Sequence, residues 1–126
     1  MARFLKSRPK TKGPASGGPA RYALGRLKTG ELNKTETAYE SQLKLRLHAG
    51  EIVWYRFEGL RFQLAAATAY TPDFAVMLAD GTLECHEVKG KWEDDARVKI
   101  KVAAEMYPVR FVAVKKTKAG WEYETF

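Results

Sequence analysis

At 126 residues the chain holds one domain, long enough to bury a single core but not two. Its one cysteine, Cys85, excludes an internal disulfide and fits a reducing compartment, and with only His48 and His86 beside it no zinc-finger cluster can form. No apolar run reaches transmembrane length and the basic N-terminus lacks the hydrophobic segment of a secretory signal, so a soluble, cytoplasmic protein without membrane contact is expected.

The net charge of +7 is unevenly placed. Residues 1–34 carry nine Lys/Arg and one acid, Glu31, whereas the rest of the chain carries 13 Lys/Arg and 14 Asp/Glu. A basic arm on a near-neutral body points to a polyanion partner, because each phosphate neutralised releases condensed counterions. The plainer alternative is a solubilising tail. Arg21, Arg26, Lys28 and Lys34 are the arm residues expected to contact DNA. Residues 1–18 mix Lys/Arg with Pro9, Gly13, Pro14, Gly17 and Gly18, a composition that buries almost nothing. A flexible basic arm over 1–31 and one folded domain over 32–126 are expected.

In chain order, Asn33 or Thr35 offers an N-cap for a helix running to about His48, where Gly50 stops it. Glu36, Tyr39, Glu40, Leu43 and Leu47 recur at three- and four-residue spacing and share one face. The leucines read as core. The two glutamates either flank that core in water or turn at least one carboxylate toward a metal. After Gly50 the period shortens to strand-like runs at 52–57, 60–65, 71–78 and 82–89, the last two joined by Ala79-Asp80-Gly81, a strong hairpin signal. Trp92-Glu93-Asp94-Asp95 opens a second helix to about Tyr107, acidic at its positive end, with Val98, Val102 and Met106 on one side, and Pro108 closes it. Strands follow at 110–115 and 121–126. A helical crossover between 82–89 and 110–115 makes those two strands parallel. The expectation is an α/β fold: a mixed β-sheet flanked by helices, in the order α-β-β-β-β-α-β-β.

Within the hairpin, Pro72-Asp73 opens one strand and Glu87-Val88-Lys89 closes the next. Strand alternation sends Glu87 and Lys89 to one face and His86 and Val88 to the other. If Asp73 lies across from them, two carboxylates and an ammonium meet at one sheet edge. Hydrolysis of a phosphodiester uses that set: hard oxygen ligands hold Mg²⁺ or Mn²⁺, the ion acidifies water, and the lysine orients it and stabilises developing charge. An acid-x-Lys triplet alone says little, since about one or two arise by chance at this composition. Order and context carry the signal: a helical glutamate, then Pro-Asp at a strand start, then Glu-x-Lys at the end of the paired strand. The bland reading is a surface salt bridge between hairpin partners.

That order resembles the PD-(D/E)XK nuclease superfamily, with its restriction-endonuclease-like fold. Asn33-Lys34-Thr35-Glu36, Ala49-Gly50-Glu51-Ile52, Tyr70-Thr71-Pro72-Asp73-Phe74 and His86-Glu87-Val88-Lys89-Gly90, with the stretch 92–104, look more closely like a phage- and prophage-encoded family catalogued as a domain of unknown function. The resemblance covers about residues 33–115. It implies the fold, Mg²⁺- or Mn²⁺-dependent DNA cleavage in a bacterial host cytoplasm, and kinship with phage enzymes that resolve branched, Holliday-junction-like DNA. By motif position it implies that Asp73 and Glu87 ligate the metal, with the Val88 backbone carbonyl, and that Lys89 positions water. It implies Glu36 as the helical glutamate, with Glu40 as the alternative one turn on.

His86 points away from this set and reads as a core or supporting residue. Cys85 reads as packed. Arg97, Lys99, Lys101 and Lys91 are candidates for the DNA backbone, Lys99 first among them. Trp54, Trp92 and Trp121 read as core or interface residues rather than base-stacking platforms. A homodimer is expected, since such nucleases pair to cut both strands, and no small-molecule cofactor beyond the metal. The rivals are a DNA-binding protein that keeps the fold without catalysis, and a host-interaction protein whose arm meets an acidic protein surface.

Overall fold

The computed structural model describes residues 32–89 and 94–126. The expected arm with Arg21, Arg26 and Lys28, as well as Lys91 and Trp92, lies outside the described residues. Helix α1 (Lys34–His48) starts at a reciprocal capping box: the Asn33 side chain accepts the Glu36 N–H at 2.8 Å and the Glu36 carboxylate accepts the Asn33 N–H at 3.0 Å. Gly50 ends it at φ +82°, a left-handed conformation that glycine enters without a Cβ penalty. Five strands, β1 (Ile52–Phe57), β4 (Phe74–Leu78), β5 (Leu83–Lys89), β6 (Arg110–Thr117) and β7 (Gly120–Thr125), form one mixed sheet in the order β1-β4-β5-β6-β7. The β4–β5 pair is an antiparallel hairpin through Asp80-Gly81, with Gly81 at φ +93°. Helix α2 (Asp94–Met106) then crosses over, so β5 and β6 run parallel, as the sequence pattern requires.

The α/β class and the mixed sheet with two helices agree with the sequence, but the described residues form one strand more than expected. Strands β2 (Phe62–Ala65) and β3 (Thr68–Tyr70) form a separate two-stranded hairpin outside the main sheet. The run at 71–78 reads as one strand, yet Pro72 has no N–H for a ladder, and the Asp73 side chain takes the Val88 N–H, so regular pairing begins only at Phe74. β1 pairs with β4 rather than with its sequence neighbour β2.

The sheet separates two cores. On one face Tyr39 and Leu43 of α1 pack with Ile52, Phe74, Val76, Val88, Val112 and Val114; on the other Phe62, Tyr70, Cys85 and Phe111 pack with Ile100 and Ala103 of α2. His86 is fully buried on the α1 face, its Nδ1 2.7 Å from the Tyr39 hydroxyl and its Nε2 2.8 Å from Glu84, which also accepts from Arg110 at 2.9 Å. Cys85 is buried on the opposite face, where burial pushes its thiol up to about 12. One expectation is corrected. Leu47, in the last turn of α1, is exposed, because the helix end runs past the core. In α2 the line Val98, Val102, Met106 faces solvent at 57%, 37% and 50% exposure, while Ile100 and Ala103 are buried. Both lines have helical spacing; the small Ala103 lets the helix approach the sheet on its side. Trp121 packs on the α1-side core, and Trp54 is exposed.

Leu43→Ala is expected to destabilise the fold by about 2–5 kcal/mol in urea denaturation, through lost burial and the cavity left behind. Leu45→Ala, two positions on at 66% exposure, should stay within about 0.5 kcal/mol of the parent.

Candidate active site

The β4–β5 register sets the geometry. Phe74 lies opposite His86, so in an antiparallel ladder the residue before β4, Asp73, falls opposite Glu87. Two backbone bonds fix Asp73: its Oδ2 accepts the Val88 N–H at 2.8 Å, and its carbonyl accepts the Glu58 N–H at 2.7 Å. Glu87 is buried, 7% exposed, with Oε1 accepting the Tyr70 hydroxyl at 2.8 Å and Oε2 lying 3.3 Å from the Lys89 ammonium. Lys89, the last residue of β5, keeps about a third of its side chain in solvent. Asp73, Glu87 and Lys89 therefore meet at one edge of the sheet, with the lysine turned outward.

Electrostatics single out the same place. Burial, then the Glu87 charge, raises the Asp73 carboxyl to about 8, with the Glu36 carboxylate adding to the rise and the Val88 N–H opposing it. Burial also raises Glu87, against the Tyr70 hydroxyl, Lys89 and the Asp73 N–H. Burial disfavours the charged form of Lys89, but Glu87 and Asp73 outweigh it and hold the ammonium above its ordinary value.

Glu36, at the start of α1, thus acts on both Asp73 and Lys89. Glu40 is engaged elsewhere, accepting the Tyr55 hydroxyl of β1 at 2.8 Å. Glu36 thus bears on the site through its charge, whereas Glu40 is bonded to Tyr55. Among the described residues no group of three or more His, Cys, Asp and Glu could by itself hold a metal ion. The donors nonetheless suit a hard cation: Mg²⁺ commonly takes one or two carboxylates and completes its shell with water and substrate phosphate. A cation at this edge would also relieve the burial and repulsion that keep Asp73 protonated.

The expected DNA contacts are dispersed. Lys34 is exposed at the first turn of α1, and Lys99 and Lys101 are exposed on α2, with Lys99 in an apolar groove beside Leu64, Thr68 and Val102. Arg97 pairs with Glu124 of β7 at 3.1 Å and lies over the Phe126 ring. Helix phase disperses the three, since one turn of α2 cannot send residues 97, 99 and 101 the same way. Two residues escape a reading of the sequence. Lys115 of β6 lies beside Lys89 in the parallel register, and Tyr70 touches Glu87. The first needs the register; the second was in view only as part of the run leading to Pro72-Asp73.

Comparison with family models, with curated proteins and with solved structures finds no match to this chain. No helix among the described residues is long and apolar enough to cross a membrane.

A raised carboxyl pKa makes the folded state hold a proton that the unfolded state has already released, so its contribution to stability is lost as pH rises. In EDTA the melting temperature should fall between about pH 4 and pH 8. Asp73→Asn, which keeps an acceptor for the Val88 N–H, should flatten that fall. Adding Mn²⁺ should raise the melting temperature most at the upper end of the range. A flat parent profile would contradict the electrostatics described above.

Proposed function

We propose that the protein is a divalent-metal-dependent DNA endonuclease of the PD-(D/E)XK, restriction-endonuclease-like kind. It hydrolyses phosphodiester bonds, with branched, Holliday-junction-like phage DNA as the candidate substrate. The observation that carries this reading is the meeting of Asp73, Glu87 and Lys89 at one sheet edge, with Lys89 3.3 Å from Glu87. The antiparallel β4–β5 hairpin followed by a helical crossover supports the fold assignment, although the β2–β3 hairpin departs from the element order expected of it. Action in the cytoplasm of a bacterial host, as a homodimer that cuts both strands, belongs to the same reading.

Asp73 and Glu87 would hold Mg²⁺ or Mn²⁺, with Glu36 and the Val88 carbonyl as further oxygen donors, and the bound ion would neutralise phosphate charge and make water more acidic. Lys89 directs its ammonium to the water that attacks phosphorus and stabilises the negative charge that develops there. Lys115, adjacent in the sheet, and Lys34, close in sequence to Glu36, supply positive charge for the flanking phosphates. No small-molecule cofactor is needed. A second reading, DNA binding without catalysis, is favoured by the lack of a three-donor group among the described residues. It differs in one outcome, salt-sensitive binding with no turnover.

Incubation with a four-way junction, a linear duplex and a single strand, each with Mg²⁺ or EDTA, tests both readings. Cleavage is expected with Mg²⁺ alone. Lys89→Ala should lower it roughly 100-fold or more, Glu36→Gln should weaken it, and Glu40→Gln should leave it near the parent rate. Cleavage indifferent to chelator or to Lys89→Ala would sink the enzyme, and binding without cleavage would select the second reading.

A further inference from the structure

Tyr70 closes the β2–β3 hairpin, and the hairpin stands outside the main sheet, so nothing in the sheet ladder requires its hydroxyl. The residue is 7% exposed and packs in the core formed by Phe62, Phe111 and Ile100. Its hydroxyl leaves this apolar setting at one point, donating to Glu87 Oε1 at 2.8 Å. Three residues on, Asp73 accepts the Val88 N–H. The four-residue segment 70–73 therefore touches the end of β5 at both of its limits, on Glu87 and on the next backbone amide.

We propose that Tyr70 is a positioning residue for Glu87: its phenol fixes Oε1 and leaves Oε2 facing Lys89 and the metal edge. The assignment rests on the metal-dependent reading above. A carboxylate has two equivalent oxygens and a freely turning plane, and two donors on different elements, Tyr70 from β3 and Lys89 from β5, hold that plane in one orientation. The choice of a phenol has a chemical reason. An arginine or a second lysine would orient Glu87 equally well but would add positive charge and repel the cation. A neutral hydroxyl orients the ligand and leaves its negative charge for the ion. Burial, then the Glu87 charge, keeps the phenol from ionising, so it stays a donor.

Tyr70→Phe keeps the ring and its packing and removes only the oxygen. Mn²⁺ binding to the full chain, followed by calorimetry with no DNA present, should weaken by about 10- to 100-fold, the loss usual for partners that orient metal ligands. The Mg²⁺ needed for half-maximal cleavage should rise in step, and the cleavage rate at saturating Mg²⁺ should return to within a few-fold of the parent. Tyr107→Phe is the control: it removes the hydroxyl that anchors the same hairpin by donating to its Gln63 carbonyl at 2.6 Å and leaves Glu87 untouched. An unchanged Mn²⁺ affinity in Tyr70→Phe overturns the proposal. So does an equal loss in Tyr107→Phe, which would make hairpin placement, not the phenol, the cause. If the parent binds no Mn²⁺, the metal-dependent reading fails and takes this one with it. If the parent binds Mn²⁺ and only Tyr70→Phe weakens it, the assignment stands even when no tested DNA is cut.

Discussion

Two carboxylates of like charge, Asp73 and Glu87, are held together where little water reaches them. Such a pair is unfavourable in isolation: burial and mutual repulsion both act against ionisation. The surroundings offset this with the Val88 N–H on Asp73, the Tyr70 hydroxyl and Lys89 ammonium on Glu87, and protonation of Asp73 at moderate pH. Those groups come from β5, from the β2–β3 hairpin and from the turn before β4. Much of the domain thus converges on keeping one unfavourable juxtaposition in place, and strain of that kind is tolerated chiefly where it serves function.

The sheet also keeps two polar systems apart. On the α1 side, Tyr39, His86, Glu84 and Arg110 form a chain in which each side chain finds a partner, so the one buried histidine is satisfied within the core. On the α2 side lie Glu87, Tyr70 and Lys89. Strand alternation is what separates them: His86 and Glu87 are neighbours in the chain and lie on opposite faces. Among the described residues every buried side-chain nitrogen and oxygen has a hydrogen-bond partner, so the unease at the site is one of charge and not of missing bonds.

The elements that could be read from the sequence are those governed by local rules. The Asn33 cap and Gly50 stop, the Asp80-Gly81 turn and the parallel β5–β6 pair follow from residue types at short range, and the meeting of Asp73 with Glu87 follows from the hairpin. Features decided by packing were not legible. Val98-Val102-Met106 and Ile100-Ala103 are equally periodic, and only the space above the sheet selects between them. The β3 strand is three residues long, too short to impose a pattern. The bond that takes up Glu40 comes from Tyr55 of β1, a contact between residues fifteen apart. Tyr70 joins the site through a hairpin whose position no local rule dictates.

Glu36 has two employers. Its carboxylate completes the capping box of α1 while also acting on Asp73 and Lys89. Change at this position is therefore doubly constrained: an acid unable to accept the Asn33 amide would fray the first turn, and a good cap without an acid would remove a negative charge that acts on Asp73 and Lys89. The same economy ties the start of the leading helix to the balance of charge around Asp73 and Lys89.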